Sequence, residues 1–181
     1  LKLFLGSYPI TPATDVLHEL SKHKSLGVIT VQCEDEISGC ATAIGASFAG
    51  ALAVTTTSGP GVCLKSEAMN LAVITELPLV VLDVQRGGPS TGLPTKSEQT
   101  DLLQALFGRN GESPMPVIAA TSPTNCFDAA YAACKMALEH MTPVVLLTDG
   151  FVANGSGSWK LPNLDTYPEI KPQYVTPEMK D

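Results

Sequence analysis

A chain of 181 residues, 44% hydrophobic and 16% charged, is long enough for one domain with a substantial core and excludes a disordered or fibrous polymer. Its net charge of −7 excludes the clustered lysine and arginine surface that nucleic acids or anionic membranes require. No apolar run reaches the roughly 20 residues of a membrane span, and no basic, then apolar, leader opens the chain, so the expected location is the cytoplasm.

Taken in chain order, helical patterns are expected at Pro12 to His23, Asp35 to Ala49, Gly61 to Glu76, Glu98 to Phe107 and Pro123 to His140. Strand candidates alternate with them at Gly27 to Cys33, Ala51 to Thr57, Leu79 to Val84, Pro116 to Ala120 and Pro143 to Thr148. Such alternation predicts an α/β fold, a doubly wound and mainly parallel sheet with helices on both faces. The strands hold almost no charge, and the third only Asp83, so each is expected to be buried on both faces. Thr11 before Pro12, and Ser122 before Pro123, read as capping hydroxyls ahead of first-turn prolines. After Thr148 the pattern fails: a glycine and serine patch at 154 to 158 and four prolines between Leu161 and Asp181 read as a linker or tail. The expected division is a domain over 1–155 and a tail over 156–181 toward a following domain. The first residue is Leu1 rather than Met, which fits a piece of something longer.

Four segments could carry chemistry. Tyr8-Pro9-Ile10-Thr11-Pro12 stiffens the approach to a helix and leaves the Thr11 hydroxyl beside free backbone N–H groups; it either caps the helix or holds a carboxylate. Glu34-Asp35-Glu36 ends a strand and starts a helix built of small residues from Ser38 to Gly50. Each glycine there costs about 1 kcal/mol against alanine, so close packing must offset it. Two of the three carboxylates answer the helix dipole, and one is left to face a ligand at the carboxyl edge of the sheet. Thr55-Thr-Thr-Ser-Gly-Pro-Gly61 resembles a phosphate cradle but lacks the P-loop lysine and the full G-x-G-x-x-G spacing, and reads equally as a strand-to-helix turn. Gln85 to Lys96 is a long loop with three glycines and two prolines, in which Arg86 and Lys96 are natural partners for a carboxylate or simply solvated. The five cysteines show no metal-binding spacing and are expected as reduced thiols, mostly filling the core. His18, His23 and His140 show none either.

Taken in order, these four motifs resemble the alpha subunit of 2-oxoacid:ferredoxin oxidoreductases over about residues 5–155, and Gly88-Pro-Ser-Thr-Gly92 is most similar to the 2-oxoglutarate branch. The resemblance implies the pyrimidine-binding domain of a thiamine diphosphate enzyme. The cofactor is then shared with a beta subunit that holds its diphosphate, Mg²⁺ and an iron–sulfur cluster, none of them bound by this chain. It implies oxidative decarboxylation of a 2-oxoacid to an acyl-CoA and CO₂, with electrons passed to ferredoxin. Carried over residue by residue, Glu36 falls on the catalytic carboxylate at the pyrimidine nitrogen; the matching helix from Glu36 to Gly45 selects it over Glu34. Thr11, Arg86 and Thr95 fall on substrate positions, Lys96 on the distal carboxylate of 2-oxoglutarate, and Pro9, Ser58 and Gly59 beside the cofactor ring. The expected partners are the beta subunit, ferredoxin through the complex, the 2-oxoacid and coenzyme A, and a homodimer of the isolated domain is compatible with the reading. The competing readings are a pyruvate, branched-chain or indolepyruvate enzyme, a transketolase-like half, and a non-catalytic module with the same fold. Intact Thr11, Glu36 and Arg86 disfavour the last.

Overall fold

Aliphatic and β-branched runs form six strands in the computed structural model, which describes residues 1–172, 174 and 176–179. They are β1 (Leu3–Ser7), β2 (Ile29–Gln32), β3 (Leu52–Thr57), β4 (Leu79–Gln85), β5 (Val117–Ala119) and β6 (Pro143–Asp149). The sheet order is β2-β1-β3-β4-β6-β5, with every neighbouring pair parallel. The helices are α1 (Thr14–Leu20), α2 (Glu36–Phe48), α3 (Gly59–Ile74), α4 (Leu102–Phe107), α5 (Cys126–His140) and α6 (Gly150–Asn154), with a 3-10 turn at Ser21–Leu26 after α1.

Alternation along the central strands sends side chains to two cores. On one face Leu79, Val81, Val145 and Leu147 meet Ala43 and Ile44 of α2, Val62 and Met69 of α3 and Ala105 of α4. On the other, Val80, Val144 and Leu146 meet Ala129, Ala133 and Ala137, which recur every four residues along α5 and let that helix lie close. The doubly wound expectation therefore holds, with a sixth strand that the sequence pattern did not reveal. β1 (Leu-Phe-Leu-Gly-Ser) has no β-branched residue, yet it lies between β2 and β3; pairing on both sides outweighs its weak propensity. The expectation of strands buried on both faces fails for β2 and β5, the edge strands, whose side chains are only half-buried or exposed.

The capping expectations are corrected as well. α1 starts at Thr14 with Ala13 at its N-cap, and it is the Thr14 hydroxyl, not that of Thr11, that bonds the backbone of Ile10. Ser122 makes no cap; its hydroxyl pairs with Thr124. α4 starts at Leu102 rather than Glu98, because Glu98 accepts from Gly88 N and the Asp101 N–H is drawn to Gln85 Oε1 at 3.0 Å. The small-residue helix α2 is covered on one side only: Gly39, Cys40, Ala43, Ile44 and Ser47 are buried, while Ile37 and Phe48 are exposed. All five cysteines are free and only Cys40 is fully buried, so the core-filling expectation holds for one of them.

Beyond Asn154 the described residues form short 3-10 turns at Leu164–Thr166 and Pro177–Met179 and no longer helix or strand. Trp159 and Tyr167 pack on Phe127 of α5 with ring centroids 5.8 and 5.4 Å away. The Tyr167 hydroxyl donates to Asp128 and that of Tyr131 to the Pro168 carbonyl. Gln173, Val175, Lys180 and Asp181, at the end of the expected tail, lie outside the described residues. Among the described residues no helix is long and apolar enough to cross a membrane.

Candidate active site

In a parallel sheet the strand order reverses where a ligand crevice opens at the carboxyl ends. Here the first reversal lies between β1 and β3, and the chain-order motifs meet there. Asp35 caps α2 in a capping box, accepting from Ser38 N at 2.8 Å. That fixes Glu36 as the first helical residue, half-buried, while Glu34 is exposed. Tyr8, at the end of β1, is 4% exposed, and its hydroxyl is 2.8 Å from Thr57 Oγ1 at the end of β3. Burial raises the Tyr8 phenol above its ordinary range, and the nearby Glu36 carboxylate adds to the effect.

Gly61, in the first turn of α3, lets these groups converge. A methyl group there would overlap Thr57 Oγ1 and the Tyr8 hydroxyl and press on Glu36 Cγ at 3.1 Å. The missing side chain thus makes room for one carboxylate beside one phenol and one threonine hydroxyl. Ser58 Oγ is buried and has no hydrogen-bond partner among the described residues.

Arg86 leaves β4 almost fully buried. Its guanidinium donates through Nη1 to the Thr11 carbonyl at 2.6 Å and through Nη2 to the Thr91 carbonyl at 2.7 Å, while Nε has no partner among the described residues. It ties the loop after β4 to the loop after β1. Gly87 bridges Leu93 and donates to the Lys96 carbonyl at 2.8 Å, so the segment after Arg86 is folded back on itself. Two open clefts flank this tie. Gly59, Arg86, Thr91, Asp101 and Gln104 line one of about 500 Å³. Thr11, Thr95, Lys96, Gly150 and Asn154 line another of about 390 Å³. The expected residues therefore fall into three groups: Glu36 with the Tyr8 hydroxyl, Gly59 with Arg86, and Thr11 with Thr95 and Lys96. Pro9 is exposed at the end of β1.

The sequence reading missed the roles of four polar residues, Lys65, Asp83, Gln85 and Asp101. Lys65, on α3, has no exposed surface; the signal was its place on the stripe of Gly61, Ala68, Met69 and Ala72 at helical spacing. Asp83, the lone charge of its strand, is also fully buried. Both its oxygens, and Oδ2 of Asp101, have no donor among the described residues, so one proton shared between the two carboxyl groups supplies the missing partner. Burial first, and then the Asp101 charge, hold Asp83 well above the usual carboxylate range. Gln85 closes the network, accepting from Asp101 N and donating from Nε2 to the Thr148 carbonyl at 3.2 Å.

Fold and site together define a two-faced parallel α/β domain with one carboxylate at the switch point of its sheet. The 2-oxoglutarate:ferredoxin oxidoreductase of Magnetococcus marinus, solved with 2-oxoglutarate, coenzyme A and succinyl-CoA bound, contains this fold. Its TM-score is 0.89 at 38% identity, over 98% of this chain and 31% of that one. Residues 2–180 match the family model "Pyruvate flavodoxin/ferredoxin oxidoreductase, thiamine diP-bdg", and the chain belongs to this thiamine diphosphate-binding domain family. It is 61% identical over 177 residues to the 2-oxoglutarate oxidoreductase subunit KorA of Mycobacterium tuberculosis, covering 98% of this chain and 27% of that relative. It is 42% identical over 162 residues to the 2-oxoglutarate synthase subunit KorA of Archaeoglobus fulgidus, covering 89% and 47%. The chain thus spans less than half the length of either relative.

Proposed function

We propose that this chain forms the pyrimidine-binding half of a thiamine diphosphate site in a 2-oxoacid:ferredoxin oxidoreductase that acts on 2-oxoglutarate. The observation that supports it best is the Glu36 carboxylate, presented by a capped helix start at the sheet's switch point and packed against Gly61 and Tyr8. The residues present fit a flat, nitrogen-containing ring. Glu36 offers a carboxylate, Ser58 Oγ and Arg86 Nε are buried and without partners among the described residues, and Pro9 and Gly59 add an apolar edge and a bare backbone.

When bound, thiamine diphosphate supplies the carbon nucleophile that no protein side chain can replace. The chain's own work is to orient and to handle protons. Glu36 holds or releases a proton at its carboxylate toward the ring nitrogen. The Tyr8 hydroxyl, bonded to Thr57, limits where that carboxylate turns. Arg86, Thr11 and Thr95 receive the carboxylate and oxo group of the substrate, and Lys96, which lines the same cleft as Thr11 and Thr95, receives the distal carboxylate of 2-oxoglutarate. The diphosphate, Mg²⁺ and the iron–sulfur cluster belong to the beta subunit. Coenzyme A takes the acyl group, CO₂ leaves, and ferredoxin takes the electrons. Residues 1–155 form the pyrimidine-binding domain, and 156–181 lead toward a further domain, in a cytoplasmic enzyme. Relatives named for 2-oxoglutarate, over nearly the whole chain, favour that substrate.

The test is reconstitution. The full-length subunit combined with its partner, thiamine diphosphate and Mg²⁺ is expected to reduce ferredoxin only when 2-oxoglutarate and coenzyme A are both present. Reduction driven by pyruvate and not by 2-oxoglutarate would overturn the substrate, and no reduction with any 2-oxoacid would overturn the activity.

A further inference from the structure

Lys65 is the largest side chain with no exposed surface. It lies on the sheet-facing stripe of α3, between Gly61 and Val62 on one side and Ala68, Met69 and Ala72 on the other. A methionine would fill the same volume without losing the hydration of an ion, which is a large cost for a buried charge. The structure shows what the cation gains instead. Its Nζ donates to the main-chain carbonyl of Glu36 at 2.9 Å and to Thr55 Oγ1 at 3.0 Å, and it lies 5.1 Å from the centre of the Tyr8 ring. Its three hydrogens thus meet the first turn of α2, the middle of β3 and the π face at the end of β1. All three hydrogen-bond and ring partners are uncharged, so the positive charge is not cancelled by them, and the Glu36 carboxylate is among the charges that act on it.

We propose that Lys65 is a positioning residue for Glu36, pinning the first turn of α2 to the sheet and supplying the charge against which Glu36 exchanges its proton. The inference rests on the reading of Glu36 as the carboxylate at the cofactor ring. Glu36 and Asp35 at the start of α2, Cys40 further along it, Cys33 at the end of β2 and Tyr8 at the end of β1 are the titratable groups around the ammonium. Burial lowers the pKa of Lys65, and its neighbours only partly restore it. Burial pushes the Cys40 thiol up to about 11 and raises the Tyr8 phenol above its ordinary range. An alkaline loss of function is therefore assigned to Lys65 only where both Lys65 variants abolish it and Cys33→Ser, at the half-buried free thiol near the ammonium, retains it.

The experiment uses Lys65→Met, and Lys65→Gln as a second variant that keeps a donor without the charge. Without cofactor, the backbone amides of residues 36–40 in Lys65→Met are expected to exchange with solvent deuterium about tenfold faster, a one-decade shift in local opening. In the reconstituted complex, exchange of the thiazolium proton is expected to slow by about 10- to 100-fold near neutral pH, as when a residue that orients a primary contact is lost. The half-saturating thiamine diphosphate concentration should stay nearly constant. The alkaline limb of the exchange rate should vanish in both variants. If rate and limb in the variants superimpose on wild type while Glu36→Gln abolishes exchange, Lys65 is structural and this inference alone falls. If exchange persists in Glu36→Gln, the reading of Glu36 falls and takes this inference with it. Should Lys65→Met fail to fold, Lys65→Gln decides through the same limb.

Discussion

Glu36 and Glu34 are two positions apart in sequence, and the capping box at Asp35 separates their fates: one enters α2 beside Tyr8, the other stays in solvent. Glu36→Gln is nearly isosteric but cannot exchange a proton. In the reconstituted complex it should slow thiazolium-proton exchange by about two to four orders of magnitude, the usual worth of a positioned acid–base group. Glu34→Gln should leave the rate as it is, and deuterium exchange followed by NMR separates the two; the reverse outcome would move the catalytic position by two residues. Asp83 gives a second prediction at this scale. Its pKa in the folded chain is raised above the unfolded value, which is roughly 3.9. The group is therefore neutral in both states below about pH 4, and the fold loses stability as pH rises from there toward the folded value. Asp83→Asn cannot ionise and still offers Asp101 a hydrogen. Its Tm should match wild type near pH 4 and exceed it at pH 8, by about 2–4 °C for every kcal/mol relieved in a domain of this size. Equal Tm differences at both pH values would show that Asp83 is not held neutral.

At the scale of elements, β1 and α2 approach through glycine. A methyl group on Gly6 would come within 2.6 Å of Thr42 Oγ1 and closer still to the Gly39 carbonyl, both on α2. Gly6→Ala should therefore push α2 off the sheet at a cost of about 1–3 kcal/mol, typical of overpacking, and thermal unfolding measures it. Its effect on cofactor-dependent exchange should be larger than its effect on Tm implies, because Glu36 rides on the displaced helix. The elements themselves were largely legible in sequence: five of six strands and five of six helices follow from charge-free runs alternating with helical spacing. What was not legible had little local signal. β1 is five residues without β-branching, and it becomes a strand because β2 and β3 flank it. α6 is a single turn held by the Asp149 carboxylate, which accepts from Phe151 N and Val152 N. At the site, motif order brought Glu36 and Arg86 forward. Lys65 and the Asp83–Asp101 pair stayed hidden because their meaning depends on burial, and Lys65 in particular looks like any helical lysine until Gly61 and Met69 are seen to share its face. That Arg86 would spend two of its donors on the carbonyls of Thr11 and Thr91 is a property of two loops meeting, which no single segment encodes.

At the scale of the whole molecule, every group assigned to the cofactor lies on one edge of the sheet, and the clefts beside it are open. Half a pocket should bind poorly. Calorimetry of the isolated chain with thiamine diphosphate and Mg²⁺ is expected to show a Kd no tighter than about 1 mM, near −4 kcal/mol, and submicromolar binding would sink the shared-site account. The segment after Asn154 packs elsewhere: Trp159 and Tyr167 clasp Phe127 in the first turn of α5, beside the edge strand β5. Trp159 is the chain's single tryptophan, and it sits 45% exposed against a ring. Its fluorescence is therefore a built-in reporter of the clasp alone. Emission that shifts to the red at a lower denaturant concentration than the loss of helical ellipticity would time the release of the tail separately from the melting of the sheet.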